Sequence, residues 1–164
     1  MAKKEDEKKL DDFKIEYGKL QSKYSLPGYK EMNEDFNIER ISDIETEYVL
    51  REIRKFIADR FSNYMRFVEA ILNPSNAPMF VFSVIKLLGK EDKKLLDETY
   101  KMFVKIEVQL IELDISYNGE NEAKFIIQSY KDWQKIKESV LKIISTIKKN
   151  WENKTENNNK GYFG

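Results

Sequence analysis

The chain contains neither cysteine nor histidine. Without them it has no disulfides, no thiol nucleophile, no Ser-His-Asp triad, no zinc finger and no histidine-ligated iron. Nothing therefore points to an oxidising compartment. No side chain titrates near neutral pH unless its surroundings strongly perturb it, so a general base at pH 7 is not expected. Net charge is absent too: 29 basic residues balance 29 acidic ones, which argues against a basic coat for nucleic acid. Long apolar runs are missing. The most apolar stretch, 79–88, is interrupted by Ser83 and Lys86, whereas a bilayer span needs about 20 apolar residues. The first residues carry charges of both signs and no apolar segment of the secretory kind. The expectation is a cytoplasmic protein with no membrane partner.

Glycine and proline are also scarce, at six and three residues. Where they occur they divide the chain, and long stretches between them suit helices. With 164 residues and 41% apolar content, one domain with one core is expected. Leu10, Phe13, Tyr17, Leu20 and Tyr24 recur at steps of three and four, which predicts a first helix ending at Ser25-Leu26-Pro27-Gly28. A short helix follows over 29–36, with Met32 and Phe36 on one side. For the third helix, Ser42 and Glu45 fit a capping box. The stripe Leu50, Ile53, Ile57, Phe61, Tyr64, Val68 and Ile71 carries it to Leu72. Pro74 stops it.

A fourth helix over 77–88 is apolar nearly all round. It is therefore expected to be the most buried element, with Met79, Phe80, Phe82, Val84, Ile85 and Leu88 at the centre of the core. The fifth runs over 91–117 on Leu96, Phe103, Ile106, Leu110, Leu113 and Tyr117. A strand competes there, because 104–110 alternates and Asn118-Gly119 is a hairpin signal. Ile111 breaks the alternation and Glu120-Asn121-Glu122 is a poor strand start, so helix is preferred. The sixth runs over 121–151 on Ile126, Tyr130, Trp133, Val140, Ile144, Ile147 and Trp151, interrupted by Lys137. The fold expected is all-α: a single-domain bundle of about five helices, three of them long. Its parts are a charged amphipathic helix over 1–24, a bundle core over 25–151 and a disordered tail over 152–164.

Few patterns carry chemistry. Residues 114–119 resemble the opening of an EF-hand loop, but Phe125 stands where the bidentate glutamate belongs, so no calcium is expected. With no phosphate-binding glycine loop and no nucleophile elbow either, neither metal, cofactor nor catalytic residue is expected. All five arginines lie between 40 and 66. A helical wheel places Arg51, Lys55 and Arg66 on the outer face of the third helix, where guanidinium groups suit phosphate or a partner. Glu52, Asp59 and Glu69 share that face. In the tail, Tyr162 and Phe163 form a candidate docking peptide.

A candidate buried charge layer completes the reading. Arg54 and Arg60 fall about 40° and 80° from the Leu50 stripe. Asp114 and Glu107 fall about 40° and 60° from Leu110, and Lys137 interrupts the sixth seam. Charges in a seam require partners, so these are expected to meet, either to fix helix register or to line a ligand pocket. By elimination, the expected function is non-enzymatic: a small intracellular helical module that binds another macromolecule, in the first place a protein. The alternative is a nucleic-acid or ribosome-associated binder using the Arg face and the lysines of the sixth helix. Self-association is left undecided by the sequence.

Overall fold

The computed structural model describes residues 2–160. These are all-helical, with no strand among them. Six α-helices are present: α1 (Ala2–Tyr24), α2 (Tyr29–Phe36), α3 (Val49–Leu72), α4 (Met79–Ile85), α5 (Lys90–Ile115) and α6 (Gly119–Lys160). Two 3-10 turns, Ile38–Asp43 and Pro74–Asn76, join them. The backbone divides into two compact units: Met1–Ser62 with Lys105–Asp132, and Asn63–Val104 with Trp133–Gly164. α3, α5 and α6 each contribute a segment to both.

In the first unit, α1 packs on the Ile38–Asp43 turn and on α2. It buries Phe13 and Tyr17, and the Tyr17 hydroxyl donates to the Pro27 carbonyl at 2.7 Å. That bond ties the helix to the break that follows it, where Ser25 takes a left-handed conformation at φ 58°. α2 keeps its expected bounds and buries Met32 and Phe36. Asn37, at φ 56°, closes it as a left-handed cap, and its N–H bonds to the Asn33 carbonyl. The Phe36 ring then meets Phe61 of α3 edge-on, at a centroid distance of 6.2 Å.

The start of α3 corrects the sequence reading. Ser42 does not cap it. Its hydroxyl donates to the Glu39 carbonyl at 2.7 Å, inside a 3-10 turn that buries Ile38 and Ile41. Burial of those two isoleucines overrides the capping pattern. The helix begins instead at Val49, with the Thr46 hydroxyl accepting from the Tyr48 N–H at 3.0 Å. The stripe itself buries as expected at Leu50, Ile53, Ile57, Phe61, Val68 and Ile71.

In the second unit, the core is built from Val68 and Ile71 of α3, Leu96 and Phe103 of α5, and Trp133, Ile136, Val140 and Ile143 of α6. The Tyr64 ring lies 5.2 Å from that of Trp133. α4 is the second correction. It has only seven residues and buries Val81 alone, with Leu88 buried just beyond its end. Met79, Phe80 and Phe82 are 83%, 66% and 41% exposed. A two-turn helix offers the core a single side, so Met79, Phe80 and Phe82 face outward, while Val84 and Ile85 are half-buried. The helix also tightens early, because Leu87 and Leu88 donate to carbonyls only three residues back.

α6 runs on to Lys160, nine residues past the expected end at Trp151. No proline or glycine occurs between 120 and 160 to stop it. Of the expected tail, Tyr162 and Phe163 lie outside the described residues. Lys137 is exposed, and Ile136 occupies the seam in its place. No described helix is long and apolar enough to cross a membrane.

Candidate functional site

The first unit gathers charge around Arg54. Its α3 position, one turn past Leu50, is buried. There Nε donates to Glu122 Oε2 at 2.8 Å and Nη1 donates to Asp114 Oδ1 at 2.7 Å. The Arg54 side chain is 4% exposed, that of Glu122 0% and that of Asp114 70%. One arginine thus clasps the end of α5 and the start of α6. Between those helices Asn118 Oδ1 accepts from the N–H groups of Glu120 and Asn121, an N-cap that turns the chain. At Gly119 a Cβ would come within 3.3 Å of the Tyr24 hydroxyl, so the turn is tightly enclosed.

Glu122 is the member that sequence reasoning missed. It stands one turn before Ile126, about 40° from it on a helical wheel, and so falls on the α6 seam. Reading the polar run Glu120-Asn121-Glu122 as a whole concealed it. Burial pushes the Glu122 carboxyl above its ordinary range, with Arg54 pulling the other way. Oε1 has no hydrogen-bond partner among the described residues. With Glu122 sealed from solvent, the cluster ties α3 to the end of α5 and the start of α6, and Asp114 is its exposed carboxylate.

The other members of the expected layer lie elsewhere. Glu107 is half-buried and accepts from the Ser62 hydroxyl at 3.2 Å. Arg60 is half-buried and makes no ion pair among the described residues. Lys137 belongs to the second unit. The expected outer basic face is likewise dispersed. The Arg51 guanidinium packs 5.1 Å from the Tyr48 ring and 4.8 Å from the Tyr117 ring, and these rings meet each other edge-on. Burial raises the Tyr117 pKa while Arg51 opposes the rise. Lys55 pairs with Glu52 at 2.8 Å, and Arg66 is exposed in the second unit. Among the described residues no three carboxylates converge to hold a metal ion.

A different surface of the first unit is unexpected. On α5, Val108, Ile111 and Ile115 are 61%, 61% and 82% exposed, while Ile106, Leu110 and Leu113 on the opposite side are buried. α5 therefore carries two apolar stripes, not one. Their interleaving produces the strand-like alternation of 104–110. Beside the outer stripe runs a groove of about 520 Å³, lined by Gln109, Glu112 and Ser116 of α5 and by Asn121, Lys124 and Gln128 of α6. The chain matches no known protein family, no characterised protein and no solved structure.

Proposed function

We propose that this protein is a non-enzymatic helical module that binds another protein through the outer face of α5. The observation supporting this is the row Val108, Ile111 and Ile115, exposed at steps of three and four on a helix whose core side is already filled. Such spacing is that of a helix-on-helix seam, to which a partner helix contributes the facing residues. The adjoining groove continues the apolar surface with Leu113, Phe125 and Ile127 and rims it with polar groups such as Gln109, Asn121 and Gln128, the mixture usual at a protein contact. Nothing favours the nucleic-acid reading to the same degree, since Arg51 and Lys55 are engaged within the first unit and Arg66 belongs to the other.

The test is affinity capture from nuclease-treated native lysate, comparing the wild type with a Val108→Lys, Ile111→Lys, Ile115→Lys variant. All three positions are exposed, so the variant keeps its helical circular dichroism. A partner retained by the wild type after nuclease and lost by the variant supports the reading. Capture that disappears with nuclease, or that the variant retains in full, rejects it.

A further inference from the structure

Charges border the exposed α5 row in a definite order. At about 100° per residue, Lys105 and Glu112 stand about 20° apart on one flank of Val108, Ile111 and Ile115, and Glu107 and Asp114 about 20° apart on the other. Contacts agree with that division. Glu112 lines the groove towards α6, whereas Asp114 and Glu107 accept from Arg54 and Ser62 of α3. Lys105 and Glu112 are exposed, and neither makes an ion pair among the described residues. All of these residues belong to the first unit.

We infer that the protein filling this face is a second copy of the chain, its α5 antiparallel to the first across a twofold axis, an assignment that rests on the α5 contact proposed above. With Val108 of each copy set against Ile111 of the other, Lys105 of each falls opposite Glu112 of the other, and symmetry makes two such pairs. Other alignments lose the match. A shift of one heptad in either direction brings Lys105 opposite Lys105 or Glu112 opposite Glu112, and a parallel pair in register brings Glu107 opposite Glu112. The alignment that joins the apolar rows is therefore also the one that joins opposite charges. On the remaining flank Glu107 comes opposite Asp114, whose charge Arg54 already balances at 2.7 Å. A foreign helix must supply complementary charges independently, whereas a second copy brings them by symmetry.

Sedimentation velocity of the full chain tests this over about 5–200 μM protein at about 50 mM salt, where surface charges are little screened. The wild type is expected to show a monomer–dimer equilibrium. Ile111→Lys acts twice in each dimer and should weaken association about a hundredfold. Lys105→Glu alone, or Glu112→Lys alone, sets like charges opposite one another and should weaken it about tenfold. Mixing these two single variants restores opposite charges at both places, so the mixture should associate as the wild type does. All three positions are exposed, and circular dichroism checks that each variant stays folded. A wild type that stays monomeric throughout overturns the inference. So does a dimer that Ile111→Lys leaves intact, or a mixture no tighter than its components. If a monomeric wild type still captures a partner that the Val108→Lys, Ile111→Lys, Ile115→Lys variant loses, the α5 contact stands with a foreign occupant. Capture retained by that variant rejects the contact itself.

Discussion

Replacing Arg54 by methionine isolates what the buried clasp contributes. The substitution keeps the volume and the apolar stem but removes the guanidinium's hydrogen bonds to Glu122 and Asp114. Glu122 is then a sealed carboxylate without a partner, and breaking a buried pair from one side costs about 3–5 kcal/mol. Asp114 is mostly exposed, so Asp114→Asn should cost no more than ~1 kcal/mol, the range of surface pairs. The pH dependence carries a sign. Burial raises the folded-state pKa of Glu122 above its unfolded value, so its titration favours the fold below the ordinary carboxylate range and opposes it as pH rises through the raised value. Removing Arg54 takes away the opposing influence and raises that pKa further. The Arg54→Met defect should therefore be largest at pH 7.5 and shrink towards pH 5, and adding Glu122→Met should recover most of it. Urea melts of the four proteins at both pH values measure this. A defect under ~1 kcal/mol, or one equal at the two pH values, would refute the account of Glu122 as a buried charge held by Arg54.

Two further outcomes follow from burial and ring geometry. Phe61→Ala, in the centre of the first unit, should cost about 3–5 kcal/mol, whereas Phe80→Ala on the outer side of α4 should stay within ~0.5 kcal/mol. Chemical denaturation of the two variants measures both, and a large loss at Phe80 would place α4 in a core. Arg51→Met should cost about 1–2 kcal/mol through lost contact with two tyrosine rings. It should also raise the Tyr117 pKa further, since Arg51 now pulls it down. Carbon-detected NMR titration of the tyrosine rings reads this, and an unmoved Tyr117 would contradict the packing.

Periodicity along the chain determined the helical class, the bounds of α2 and the buried side of α3 from Leu50 to Ile71. It also placed Arg54 inside an apolar arc, because a helix rotates by a constant angle per residue and needs no partner to do so. What periodicity cannot count is how many apolar faces the rest of the chain covers. α4 and α5 each have more apolar surface than is enclosed around them, so Met79, Phe80, Val108 and Ile111 emerge as surface, where the sequence reading makes core of Met79 and Phe80 and gives Val108 and Ile111 no outer stripe. Pairing is decided the same way. Arg54 and Glu122 are 68 residues apart, and the helical period of neither names the other as its partner. Only the approach of α3 to the start of α6 removes both from water, and it is desolvation that turns a weak surface attraction into a constraint on the fold.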